Sequence, residues 1–317
     1  MIYDFPSTEL SKRIAREYGY DEFIIRRWIN FFGERNTIEI VKAFEEGIPK
    51  YIRVNTIKID EERLLEKLRK RGFSIEKTEI PYCYEVLEEP YSIGATPEFL
   101  MGYYYVMDKS SCIPPLVLDP KPNEVVVDFT AAPGGKTTFL SQLMKNRGVV
   151  VAIEANRERI QSLIDNIHRM GAMNVVVLNM DANDFPKLGI RADKVLLDAP
   201  CSCEGVIYKD KSRKTSRGAK DIEFCSKMQR KLIISAYNSL KRGGILVYST
   251  CSLTPEENEL VLEYLLEMCR CELMEIEWGD NALDLNLKFK NEIKKAKRFY
   301  PHKHRCAGFF VAKIKKV

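Results

Sequence analysis

The sequence predicts an α/β fold whose larger part is a mostly parallel sheet covered by helices on both faces, preceded by a small α+β unit and N-terminal helices. Three observations predict it. Short Val-rich runs alternate with helical stretches from Glu124 onward. A small-residue turn, Ala131-Ala132-Pro133-Gly134-Gly135, joins the first run to a helix. Acids stand at or just beyond the ends of four runs: Asp128, Glu154, Asp181 and Asp198. In such sheets ligands bind outside the carboxyl ends of the strands.

In chain order, residues 1–48 read as helices. Ser7 or Thr8 can cap a segment running to Tyr18, and Asp21 can cap one carrying Phe23, Ile24, Trp28 and Phe31. A strand at 51–57, an amphipathic helix at 60–71 closed by Gly72, and strands around 75–80 and 83–87 make a small α+β domain over 49–110. That unit suits an RNA-recognition-like sheet, and equally a packing domain that touches no substrate. Through Tyr104 to Met107 and Asp108-Lys109-Ser110-Ser111 the chain enters the large domain, 111–317. Strands at 124–129, 149–154, 175–179, 194–198 and 244–250 are expected there, with helices at 136–147, 157–170, 222–240 and 256–269. Thr254-Pro255-Glu256-Glu257 signals the last helix with a cap, a proline at the first helical position and a capping-box glutamate. Residues 308–312 read as a closing strand.

At 317 residues, 45% hydrophobic and 30% charged, the chain is long enough for two globular domains and carries no low-complexity tract. Its first residues lack a charged segment followed by an apolar one, and no apolar run reaches about 18 residues, so a soluble, cytoplasmic protein is expected. Nine scattered cysteines suggest free thiols in a reducing compartment. The net charge of +5 is unevenly placed: Lys209 to Lys220 holds six Lys/Arg against Asp210, and Lys288 to Lys316 holds eleven against Glu292. A charge run can be a plain solvated face, but two beside one candidate site favour a polyanionic partner.

Three ligands compete for the turn after the first strand. A phosphate-wrapping loop needs a glycine where Thr130 stands, and a dinucleotide turn needs Gly-x-Gly-x-x-Gly, which is missing. A nucleoside cofactor without a polyphosphate remains, which points to S-adenosylmethionine. An acid after the second strand, Glu154, can accept both hydroxyl protons of a ribose. Each acid alone could equally be a helix cap or turn residue. The fourth opens Asp198-Ala199-Pro200-Cys201-Ser202, and the fifth strand ends in Ser249-Thr250-Cys251-Ser252. Methylating an exocyclic amine needs no thiol, whereas C5 of a cytosine becomes nucleophilic only after a thiolate adds to C6. Two cysteines beyond adjacent strand ends suit that chemistry, one to add and one to assist departure.

Taken together, these segments closely resemble the Sun-type RNA (cytosine-5) methyltransferases. The resemblance also includes Arg53-Val54-Asn55-Thr56, Asp108-Lys109-Ser110-Ser111, Arg298-Phe299-Tyr300-Pro301-His302 and Gly308-Phe309-Phe310. It implies a Rossmann-like methyltransferase domain using S-adenosylmethionine. Ala131, Ala132, Pro133, Gly134, Gly135, Lys136 and Thr137 would pack along the cofactor, Glu154 would hold the ribose, and Asp181 would bind the adenine side. Arg159 would make a further cofactor contact. Asp198 would bridge cofactor and cytosine, donating toward N3 when protonated. Cys251 would be the nucleophile and Cys201 would assist release; in DNA enzymes the Pro-Cys cysteine attacks instead, so this assignment rests on the resemblance. Thr130 stands where many relatives have cysteine, with no loss of activity expected.

Lys136 could act electrostatically on a nearby thiol or be a plain helix-start cation. Cys201-Ser202-Cys203 and Cys269-Arg270-Cys271, with His302, His304 and Cys306, raise the question of zinc. The spacing is not the Cys-x-x-Cys of structural sites, and no metal is expected. His302 and His304 are read as part of the basic RNA-facing segment and His168 as a surface residue. The expected substrate is RNA, tRNA first because the chain is compact and rRNA second, acted on by a monomer. A non-catalytic RNA-binding assembly factor of the same fold is the rival from another class.

Overall fold

The computed structural model describes residues 2–317. The chain forms two compact units, one from Met1–Ile48, Ala199–Ile233 and Ser249–Ala312, the other from Pro49–Asp198, Ile234–Tyr248 and Lys313–Val317. No helix among the described residues is long and apolar enough to cross a membrane.

In the first unit Thr8, rather than Ser7, caps helix Glu9–Tyr18 in a capping box with Ser11. Asp21 caps helix Glu22–Phe32 as its sequence position predicts, and helix Glu34–Glu46 follows. Their apolar faces, with Ile24, Trp28, Ile40 and Phe44, pack against Ile207, Leu253 and Tyr300. Buried Arg27 forms a two-pronged pair with Glu256, Nη2 lying 2.6 Å from Oε2, so these helices are tied to the segment after Thr250.

The second unit opens with strands β1 (Lys50–Val54), β2 (Ser74–Lys77), β3 (Cys83–Glu88) and β4 (Tyr104–Val106). Helix Glu61–Lys70 joins β1 to β2, and Pro97–Leu100 lies between β3 and β4. The sheet is antiparallel in the order β2-β3-β1-β4, over a core including Ile52, Val54, Leu64, Leu68, Phe73 and Tyr104. Then come β5 (Val125–Asp128), β6 (Val149–Glu154), β7 (Val175–Asn179), β8 (Ala192–Asp198) and β9 (Leu240–Thr250). The first unit contributes β10 (Cys271–Met274), β11 (Asp280–Asn281) and β12 (Lys297–Phe299), and the last strand is β13 (Phe309–Lys316). Within the second unit the strand order is β9-β8-β5-β6-β7, and within the first it is β11-β12-β13 with β10 beside β13. The pairings of β5 with β8 and β6, and of β6 with β7, are parallel, which brings the ends of these strands to one edge.

One local feature lies outside the sequence reading and one departs from it. Helix Lys109–Leu118 forms despite Pro114 and Pro115, because Asp108 caps it and Cys112, Ile113, Val117 and Leu118 are all buried. The helix expected at 256–269 is split at Asn258 (φ −121°, ψ −94°) into a single turn, Pro255–Glu257, and helix Glu259–Met268. Glu257 does not take the Thr254 backbone amide as a capping-box glutamate would; its carboxylate accepts the Thr254 hydroxyl together with donors from other segments.

Candidate active site

At the carboxyl ends of β5, β6 and β8 the small-residue turn is held from below. Asp128, almost wholly buried, accepts the Thr137 hydroxyl at 2.7 Å and the Thr130 amide at 3.3 Å. Burial lifts its pKa to about 6 against these hydrogen bonds. Asp128 is therefore a brace inside the turn. Gly134 has φ +103° and opens helix Gly135–Leu143, and a Cβ on it would meet the Leu163 side chain at 3.1 Å. Glu154 accepts the Asn156 amide at 2.9 Å and the Ala132 amide at 3.3 Å, with the Arg159 guanidinium 3.5 Å away. Arg159 also donates to the Ala132 carbonyl at 2.6 Å. Lys136 pairs with Asp198 at 2.6 Å, and the Thr130 hydroxyl donates to the Asp198 carbonyl at 2.8 Å. The sequence offered Lys136 a thiol; the structure gives it a carboxylate. Asp181 ends up beyond β7, where its Oδ1 accepts from the amide and side chain of Asn183 and caps a short helical turn.

Arg53 enters the sequence reading only as part of a motif. It is fully buried, donates to the Gly135 carbonyl at 2.5 Å and to the Thr138 hydroxyl at 3.1 Å, and lies over the Phe139 ring. Desolvation lowers its pKa to about 10. The first strand of the small sheet thus supports the glycine turn from beneath.

In the other unit, Cys201 and Cys251 have their sulfurs 3.2 Å apart, and Cys203 lies 3.8 Å from Cys201. The neighbouring thiols, then burial, push Cys201 well above the usual thiol range, whereas donation from Cys201 and Cys251, aided by Arg213 and Arg217, holds Cys203 well below it. A single buried carboxylate grips both cysteine loops. Glu257 accepts the amide of Ser202 at 2.8 Å, the hydroxyls of Ser252 and Thr254 at 2.9 and 3.0 Å, and the amide group of Gln229 at 2.9 Å. Gln229 also donates to the Pro200 carbonyl, and Asn258 joins Thr250 to the Ser252 carbonyl. Gly205 donates to the Cys251 carbonyl and accepts from Gly308, so closely that a Cβ there would meet the Gly308 oxygen at 1.9 Å.

The chain as a whole has relatives among known proteins. Residues 115–315 match the family described as 16S rRNA methyltransferase RsmB/F, and residues 20–93 its ferredoxin-like domain. The chain belongs to the RsmB/F methyltransferase family. It is 39% identical over 321 residues to the human 28S rRNA (cytosine(4447)-C(5))-methyltransferase, covering 97% of this chain and 39% of that protein. It is 35% identical over 288 residues to the tRNA (cytosine(49)-C(5))-methyltransferase of Pyrococcus abyssi, covering 84% and 87%. A crystal structure of a methyltransferase homologue from Pyrococcus horikoshii superposes with a TM-score of 0.90 at 39% identity, covering 98% of this chain and all of the other. The structure of NSun6 from the same organism with SFG gives 0.83 at 30% identity, covering 92% and 97%. The chain spans about half the length of the first curated relatives it matches, between 39% and 53%.

Within this RsmB/F-family frame some expectations change. His302 and His304 turn inward: the Tyr300 amide donates to His304 Nδ1 at 2.9 Å, and both rings pack on Tyr300. His168 is exposed on its helix. Part of each basic run is internally neutralised, since Lys214 pairs with Glu45 and fully buried Arg298 with Glu259. Lys209, Lys211, Lys220, Lys288, Lys290, Lys294, Lys303, Arg305 and Lys315 remain exposed.

Proposed function

We propose that the chain is an RNA (cytosine-5) methyltransferase acting on tRNA, with Cys251 as nucleophile, Cys201 assisting release and S-adenosylmethionine as methyl donor. The observation that carries this reading is the pair of catalytic-type thiols 3.2 Å apart on two loops fastened by one carboxylate. The residues present suit the cofactor: Glu154, more than nine-tenths buried, stands at a strand end beside a turn where a Cβ on Gly134 or Gly135 would crowd a neighbouring side chain at 3.1 Å. A related solved structure contains SFG, an analogue of that cofactor. Ala131 to Thr137, Glu154, Arg159, Asp181 and Asp198 would hold it, and when bound it supplies an electrophilic methyl group.

The rest is done by the protein's own groups. The Cys251 thiolate adds to C6 of a cytosine drawn out of its stack, and the C5–C6 π electrons become available at C5. Asp198, paired with Lys136, would take the base edge, accepting from N4 or, when protonated, donating to N3. After C5 gains its methyl group, a base removes the C5 proton. The C–H electrons re-form the C5–C6 double bond as the C6–S bond breaks, and Cys201 assists departure of the Cys251 sulfur.

The similarity to the Pyrococcus abyssi enzyme, which spans 87% of that enzyme's own length, favours tRNA. A second reading, rRNA, is favoured by 39% identity to the human rRNA enzyme over 97% of this chain. Incubation with unmodified tRNA and with rRNA, followed by mapping of 5-methylcytosine, separates them. New 5-methylcytosine in tRNA is expected; modification of rRNA alone reverses the order, and absence of 5-methylcytosine from both overturns the activity.

A further inference from the structure

Cys203 has no part in the chemistry above, yet its sulfur joins the catalytic pair. The three sulfurs of Cys201, Cys203 and Cys251 all lie within 4.8 Å of one another, and among the described residues this is the group of His, Cys, Asp and Glu side chains able to share one ion. Cys203 has φ +63°, a left-handed backbone that favours glycine and costs other residues about 1 kcal/mol. Local conformation therefore does not explain a cysteine there. We propose that Cys201, Cys203 and Cys251 form a binding site for a thiophilic divalent cation, Zn²⁺ or Cd²⁺, whose occupancy blocks the nucleophile.

The geometry suits such an ion. Metal–sulfur bonds of about 2.3 Å in a tetrahedral arrangement place sulfurs about 3.8 Å apart. Cys201 and Cys203 already have that separation, and Cys201 and Cys251, at 3.2 Å, need to part by about half an ångström. Soft thiolates select Zn²⁺ and Cd²⁺ over Mg²⁺ or Ca²⁺. Three thiolates around a divalent ion leave one net negative charge, and Arg213 and Arg217 act on the Cys203 sulfur with the opposite sign. The fourth position is left to water. The sequence places Cys201 and Cys203 together but sets a metal aside because their spacing is not Cys-x-x-Cys; the third sulfur, Cys251, comes from a loop 50 residues beyond Cys201. On binding, any sulfur still protonated loses its proton to solvent and each sulfur gives an electron pair to the metal; no oxidation is involved.

Binding does not depend on the methyltransferase reading, whereas the inhibition rests on Cys251 being the nucleophile. The test titrates the full chain, free of reductant and oxygen, with Cd²⁺, reading the thiolate-to-metal absorption, and with Zn²⁺ by equilibrium dialysis. One ion per chain is expected. Cys203→Ser and Cys203→Gly should each weaken binding by about tenfold or more, while keeping methylation and losing its inhibition by Zn²⁺. The glycine variant suits the left-handed backbone, so both losing the ion in a folded protein points to the sulfur. A Cys269→Ser/Cys271→Ser double variant should bind as wild type does. Equal Cd²⁺ affinity in the Cys203 variants, or loss of binding in that double variant, would overturn the site. Intact binding by a chain that methylates normally with the ion bound would overturn the inhibition alone.

Discussion

Glu204 follows the Cys203 position with its side chain buried, one oxygen accepting from the Trp28 indole at 3.2 Å and the other lacking a partner among the described residues. Burial lifts its pKa from 4.5 to about 7. An acid raised on folding stabilises the fold fully below its unfolded value of 4.5, and that contribution is lost as pH rises through about 7. Denaturation across this range should show a wild-type loss of up to about 3 kcal/mol that Glu204→Gln abolishes. The same pH slope in both proteins would contradict it. Arg53→Met should cost about 2 to 3 kcal/mol and weaken cofactor binding, measured by urea denaturation and by titration with the cofactor's demethylated product. An unchanged affinity would show that the turn does not need its support. Cys201 and Cys251 were legible in the sequence because their signal is local, a thiol just past a strand end. Arg53 and Glu257 were not: they act on partners 82 and 55 residues away, which no local pattern records.

At the scale of elements, the broken helix start explains how the thiol loops keep their spacing. Thr254-Pro255-Glu256-Glu257 carries the signals of a regular helix cap, and Pro255 takes the first helical position as read. Yet Glu257 leaves the cap's backbone amide and collects four donors, one of them the Thr254 hydroxyl, and the backbone breaks at Asn258. Burial raises the Glu257 pKa while those donors oppose it. Glu257→Ala should lower stability by about 3 kcal/mol, since it leaves buried donors unpaired. It should also reduce kcat for methylation by more than tenfold with little change in KM for the cofactor, as expected if it positions the thiols. A stability loss with unaltered kcat would make Glu257 merely structural. Strands β6 and β7 coincide with the sequence reading because Val-rich runs bounded by turns leave little choice. Helix Lys109–Leu118 escaped it because two prolines speak locally against a helix that burial on several sides maintains.

For the molecule as a whole, the exposed lysines and arginines of the two basic runs set the expectation for RNA. Binding should weaken steeply with salt, and Lys209→Ala/Lys211→Ala/Lys220→Ala should flatten the log–log slope by about 0.7 for each phosphate no longer neutralised. An unchanged slope would remove this run from the interface. The central claim concerns the division of labour between two cysteines, and it is tested most directly by incubating wild type, Cys201→Ala and Cys251→Ala with S-adenosylmethionine and RNA, then resolving products on a denaturing gel. With Cys251 adding and Cys201 assisting departure, Cys201→Ala should accumulate a covalent protein–RNA adduct, and Cys251→Ala should give neither adduct nor 5-methylcytosine. Methylation by Cys251→Ala would contradict the account and make Cys201 the nucleophile.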